Sequence, residues 1–365
     1  MLLGMSAHSS FTGTVMAGSW PMARVMAGAS AVPVGHAIDL AFFFPQGDAR
    51  HDALISETRR HLGGCVAAIE TRLRLSLAHA PAVSAALDRC PTPIAWPSLC
   101  AQPTLFGPAL LGHMQMRAGL SLMLRQYGQP DLAQAEEAQR GALPAADDPD
   151  LGDAVTALML AEGRWLGFGG EDQPMRPDLP VEHYAELVWI VAACLALAAE
   201  RTAADGADLL FAAFERSGWA LLADHDEGAS PILLADQLVR RMGAAADAPD
   251  LLGVALDQRR FLLFATLAAR HLRLDSAYLI DMLLLGPIAQ VAILCRALGG
   301  SDADYRQLLL ALRPVRPLLS DTVILAEADR YQALTQAQAE EQIGAWRTPA
   351  AFRAKLDHLR AVAGA

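Results

Sequence analysis

The chain is punctuated for helices along most of its length. Capping residues open apolar stretches, and Gly or Pro closes them. At Ser230-Pro231 a Ser can cap, while Pro at the first helical position lacks only an N–H that would be orphaned anyway. Thr348-Pro349 repeats the device. Ser301-x-x-Asp304 and Thr335-x-x-Gln338 have capping-box spacing, the first in an acidic variant. Gly128, Gly218, Gly243 and Gly299-Gly300 stand where helices should stop.

Periodicity agrees. Leu54, Leu62, Val66, Ile69, Leu73 and Leu77 recur at three- or four-residue steps or their multiples, with Arg59, Glu70, Arg72 and Arg74 between them. Further helices are predicted near 109–127, 131–141, 151–166, 181–201, 203–217, 231–242, 251–272, 276–285, 288–298, 302–312, 321–331, 336–346 and 349–362. Convincing β-alternation is absent. The expectation is an all-α chain of antiparallel helix pairs, stacked as an α-solenoid or packed as a compact helical bundle.

Residues 1–35 read as a disordered leader: five Met, many small residues and one charge, Arg24, without the basic start and continuous apolar core of a signal peptide. The Gly-, Pro- and acid-rich stretch 167–180 reads as a linker. It divides an N-terminal helical region, 36–166, from a C-terminal helical-repeat region, 181–365. Leu187–Ala199 is apolar but bounded by Glu186 and Glu200, and too short for a hydrocarbon core that needs about 20 residues. Ala277–Cys295 contains Asp281 and Gly286-Pro287 and reads as two buried helices. No membrane span is expected.

The net charge of −11 argues against a general nucleic-acid partner and against docking on anionic lipid. Five scattered cysteines, none in a C-x-x-C arrangement, read as small buried hydrophobes in a reducing compartment, hence a cytoplasmic protein.

Three segments resemble a family of bacterial all-helical proteins catalogued as a domain of unknown function with HEAT-like helical repeats. They are Asp39-Leu-Ala-Phe-Phe-Phe-Pro45 with Ile69-Glu70-Thr71-Arg72; Pro93-Ile94-Ala95-Trp96-Pro97-Ser98-Leu99 leading to Leu110-Leu111; and Asp178-Leu179-Pro180 with Leu187-Val188-Trp189 and Ala192-Ala193. A weaker echo lies at Leu294–Gly299. The likeness spans about residues 36–300. It implies a HEAT-like helical protein of a signalling or regulatory system and carries over no catalytic residue.

The chain has one lysine, Lys355, and no asparagine. There is no Gly-Lys pair for a P-loop, no Lys and Asn for a protein-kinase site, and no G-x-S-x-G. Gly167-Phe168-Gly169-Gly170 follows a helix rather than a strand and lacks dinucleotide-binding spacing. No cofactor is expected. Asp147, Asp148 and Asp150 could offer oxygen ligands to Mg²⁺, but Pro149 places them in a turn, where Asp commonly caps the next helix. Asp224-His225-Asp226-Glu227 is the densest run of titratable groups, and His225 beside carboxylates suits a metal or acid–base work. A polar helix connection explains it more simply. His61, His113 and His271 each stand alone in a helix and read as structural.

The functional reading is therefore a non-enzymatic adaptor or regulator that binds another protein. Its partner surface is placed at Trp165, Phe168, Asp224, His225 and Glu227, because loops carry recognition more often than cores do. A metal- or small-molecule-binding protein or enzyme using 147–150 and 224–227 is the alternative. A self-associating homo-oligomer is the third reading.

Overall fold

A computed structural model describes residues 53–90, 92–127, 148–167, 169–202, 207–248, 250–348 and a few positions between 352 and 360. Among the described residues the chain is all-α, with fifteen α-helices and no strand. The expected helix at 131–141, the leader 1–35 and the Asp39–Pro45 segment lie outside the described residues, as does most of 349–362.

The first half contains α1 (Ala53–Leu77), α2 (Pro81–Leu87), α3 (Ala95–Ala101), α4 (Pro108–Tyr127) and α5 (Pro149–Trp165). Then follow α6 (Val181–Thr202), α7 (Ala207–Ala223), α8 (Pro231–Met242), α9 (Leu251–Asp257), α10 (Phe261–Leu272) and α11 (Ser276–Leu284). The chain closes with α12 (Ile288–Ala297), α13 (Asp302–Ala311), α14 (Asp321–Gln332) and α15 (Gln336–Trp346).

Local capping accounts for many of these boundaries. Both expected capping boxes form, at the starts of α13 and α15. Asp148 accepts from the Asp150 and Leu151 amides to open α5, with Pro149 at its first position. Backbones with positive φ at Gly243 and Gly299 follow α8 and α12. Two expectations need correction. The apolar run 251–272 is broken into α9 and α10 at Gln258–Arg260, where Arg259 takes a φ of 59°. Gly218 does not stop α7, which continues to Ala223. Instead the Trp189 ring lies where a Cβ at Gly218 would stand, 2.6 Å from its Cζ3, so the missing side chain lets α6 and α7 close on each other.

Among the described residues, two hydrophobic clusters form the interior. One is built from α1, α2, α3, α6, α7 and the first half of α4, with Leu62, Ile69, Leu110, Met114, Leu187 and Leu195 at its centre. The other joins the second half of α4 to α5 and to α8 onward, around Leu120, Leu158, Leu238, Leu263, Leu283 and Tyr305. Thus α4 serves both. The boundary expected at 167–180 does not separate two packing units: α6 and α7 lie with α1, while α5 packs on α8. Pairings such as α1 with α4, α5 with α8 and α12 with α15 skip their sequence neighbours, as helices of a bundle do. Successive hairpins, α10–α11 and α13–α14, supply the stacked-pair character.

By length and composition, α6 is the one helix among the described residues that could cross a membrane. Here Tyr184, Leu187, Val188, Val191, Leu195 and Ala199 are buried against the other helices of the first cluster. The five cysteines are free, with Cys65 and Cys295 buried. Burial pushes the Cys65 thiol up to about 11, so it behaves as a small apolar side chain.

Candidate functional site

Within the stretch 167–180, residues 169–178 lie as a strap across α1. Its closest approach is to Gly63 and Gly64. A Cβ at Gly63 would collide with the Glu171 carbonyl, and one at Gly64 would lie 2.8 Å from the Met175 Cβ. The Met175 amide donates to the Gly64 carbonyl at 2.9 Å. Glu171 receives both Arg59 Nε, at 2.5 Å, and Arg59 Nη2, at 2.8 Å, and also accepts from Trp96 Nε1 at 3.1 Å. That bidentate pair fixes the strap in register with α1 and α3.

Beneath the strap lies a buried polar network. Arg117 and Asp178 have fully buried side chains, with Arg117 Nη1 2.6 Å from Asp178 Oδ1. This contact is an ion pair without hydrogen-bond alignment. Trp165 Nε1 donates to both Asp178 oxygens, at 3.2 and 3.1 Å, and the Arg117 guanidinium sits 4.5 Å from the Trp165 ring centre. Arg117 Nε donates to His61 Nδ1 at 2.9 Å, which leaves the proton of the neutral ring on Nε2, facing Glu57 Oε1 at 3.1 Å. Burial drives the His61 pKa down to about 3; the Glu57 hydrogen bond opposes this, and the charges of Arg117 and Arg60 reinforce it. Burial would raise the Glu57 carboxyl, but hydrogen bonds from His61, Arg60 and Ser121 prevail and hold it well below the usual carboxylate range. Arg60 also donates to the carbonyls of Trp165, at 2.7 Å, and Gly167, at 3.0 Å. The network welds α1, α4 and the end of α5 to the strap.

On the outside of the strap a cleft of about 500 Å³ opens between α1 and the turn joining α7 to α8. Arg72 comes from α1, Arg176 from the strap, and Asp224, His225 and Asp226 from the turn. His225 is placed from two sides. Its ring stacks on Tyr184 at 3.8 Å between centroids with an 11° interplanar angle, and Nε2 donates to the Leu179 carbonyl at 2.7 Å. Burial raises the pKa of the Tyr184 hydroxyl, and the Arg72 guanidinium beside it opposes this. Arg176 Nη2 lies 3.6 Å from Asp226 Oδ2, and these two residues form the rim shared with a second cleft of about 520 Å³. The second cleft continues between α5 and α8 along Leu160, Arg164 and Leu234.

The sequence-predicted residues divide accordingly. Asp224 and His225 line the first cleft. The Glu227 carboxylate instead accepts from the Val181 amide at 3.0 Å, capping the start of α6. Trp165 is only 1% exposed, so the partner surface expected there is corrected: this indole is a buried member of the polar network. Phe168 and Asp147 lie outside the described residues. Asp148 is the cap of α5, and among the described residues no group of three or more His, Cys, Asp or Glu is arranged to hold a metal ion. Arg72 and Arg176 escaped the sequence reading because each is a single charge far from 224–226 in the chain. The network left a trace, since Glu57, His61 and Cys65 fall four residues apart in register with the apolar face of α1.

Fold and site together define an all-helical protein carrying a strap and a charged, two-part cleft. No family model matches the chain, and no curated protein or solved structure matches it.

Proposed function

We propose that the chain is a non-enzymatic helical-repeat adaptor or regulator in a bacterial signalling pathway, acting in the cytoplasm by holding a partner protein in the cleft between α5 and α8. One observation carries the reading. Leu160 lines that cleft yet is 65% exposed, and its neighbour Met159 is 58% exposed. Around Leu160 stand Arg164, Arg176 and Asp226. An apolar centre with a charged rim suits an amphipathic helix laid into a groove.

The test is a pull-down from the native host with the tagged full chain and its Leu160→Glu variant. A stoichiometric partner that the variant captures at least about tenfold less supports the proposal. Circular dichroism of the variant should be unchanged, because Leu160 is largely outside the core. A partner retained equally by the variant, or a chain that only self-associates in light scattering, would overturn it.

A further inference from the structure

The first cleft holds two opposite charges that do not neutralise each other. Among the described residues, Arg72 has no carboxylate within ion-pair reach, and the Asp224 carboxylate makes no ion pair or hydrogen bond. Both line the same space, and both act electrostatically on the Tyr184 hydroxyl behind it. An Arg and an Asp free to approach across open solvent commonly pair; here they stand on separate walls, one on α1 and one at the end of α7.

The remaining groups are committed elsewhere. Asp226 is engaged with Arg176 and with the Gly228 amide. The Thr71 hydroxyl donates to the Ala67 carbonyl at 2.8 Å. His225 uses Nε2 on the Leu179 carbonyl, so Nδ1 is the ring nitrogen left over. The unsatisfied set is therefore one guanidinium, one carboxylate and one imidazole nitrogen, around about 500 Å³. That volume lies in the range of small-molecule sites.

Charge balance selects the ligand class. With Arg72, Arg176, Asp224 and Asp226 all ionised, the lining carries two positive and two negative charges. A phosphate dianion would meet Asp224 and Asp226 as well as the arginines, so the site does not favour it. A molecule with its own carboxylate and ammonium group would satisfy both free charges at once. We propose that this cleft binds a free α-amino acid, its carboxylate held by Arg72 and its ammonium group by Asp224 and Nδ1 of His225. The planar fork of Arg suits a carboxylate, and each charged contact is stronger than a neutral one. The remaining volume takes the ligand's side chain. This proposal stands apart from the adaptor reading, whose groove lies on the other side of the Arg176–Asp226 rim.

The experiment titrates the full chain with each common free amino acid at millimolar concentration. Thermal shift is read first, and calorimetry follows on any that stabilise. For the best ligand, its N-acetyl and carboxamide derivatives are compared, each lacking one charge. The expected result is saturable binding by at least one amino acid, with both derivatives weaker by about tenfold or more. Arg72→Gln and Asp224→Asn should each abolish the shift while leaving the unliganded melting temperature unchanged, since both side chains are exposed. Leu160→Glu should leave it intact, which separates this site from the partner groove. Absence of binding by every amino acid, equal binding of the derivatives, or survival of binding in either cleft variant would overturn the proposal. Stronger binding of inorganic phosphate than of any amino acid would also overturn it, in favour of a simple anion site.

Discussion

Asp178→Asn tests whether the strap is held by buried charge. The substitution keeps the shape of the side chain but leaves Arg117 without its counter-ion, in a place where neither side chain reaches solvent. Breaking a buried pair by neutralising one partner costs about 3–5 kcal/mol, because the other charge stays buried. Arg117 retains the His61 ring nitrogen, the Arg176 carbonyl at 3.1 Å and the face of Trp165, so the low end, about 3 kcal/mol, is expected. Against a total stability of roughly 5–15 kcal/mol the variant still folds. The assay is urea unfolding at pH 7 followed by far-ultraviolet circular dichroism. With a slope of about 3 kcal/mol per molar, the midpoint falls by about 1 M. Cleavage by a protease of broad specificity should appear within 169–178 before it appears in the helices. The paired replacement Arg117→Met with Asp178→Leu removes both charges and should recover most of the loss. A single-variant cost under about 1 kcal/mol, or a double variant no better than the single, would refute the claim that this pair is closed and dry.

Two further perturbations bear on the scaffold. Burial raises the Glu162 carboxyl from its ordinary 4.5 to about 7, with the Arg260 charge opposing. The folded chain therefore holds a proton that the unfolded chain has released. The associated stability is fully present below about pH 4.5 and is lost as pH rises through 7. Glu162→Gln should match the wild type near pH 5 and exceed it by about 2 kcal/mol at pH 8, read from paired thermal melts; a pH-independent difference would rule this out. Gly63→Ala drives a methyl into the Glu171 backbone, so it should cost about 2–3 kcal/mol and loosen the strap, visible as faster amide exchange at Met175. Unchanged exchange there would show that the strap does not depend on this contact.

Much of the helical framework was legible because its caps are local. Ser301 with Asp304, Thr335 with Gln338, and Asp148 all act within one turn of the helix they open. What escaped was the source of the caps that come from afar. The start of α3 has no useful cap at Ile94; its Ile94 and Ala95 amides donate to Glu70, on α1. Gly107, at the entry to α4, donates to Glu186 at 2.6 Å, and α6 draws on Glu227. In each case the carboxylate comes from another part of the chain, so neither sequence neighbourhood announces the contact, although the starts of α4 and α6 fall where the sequence puts them. By sequence Glu70 stands between the apolar positions of α1 and Glu227 in a polar helix connection, yet each joins two elements. The break at Arg259 was hidden for another reason: Leu251, Leu252, Phe261 and Leu262 sustain an apolar pattern on both sides of it. The cleft was half legible. Its turn, Asp224–Asp226, is dense in titratable groups, whereas Arg72 and Arg176 gain meaning only once the strap brings them alongside.

The interleaving of the two clusters governs how the chain can be made. The first cluster needs α1 near the beginning and α7, which ends at Ala223, while α5 emerges in between and must wait for α8. At ribosomal speeds of about 5–20 residues per second, on the order of ten seconds or more separates the synthesis of α1 from that of its last partner. Until the strap emerges, Glu57 and His61 lack the Asp178 end of their network, and the apolar sides of α1 and α5 stay open until α7 and α8 follow. Two genes encoding the chain severed within the strap would yield fragments with neither interior complete, and folding would then become an act of assembly between them.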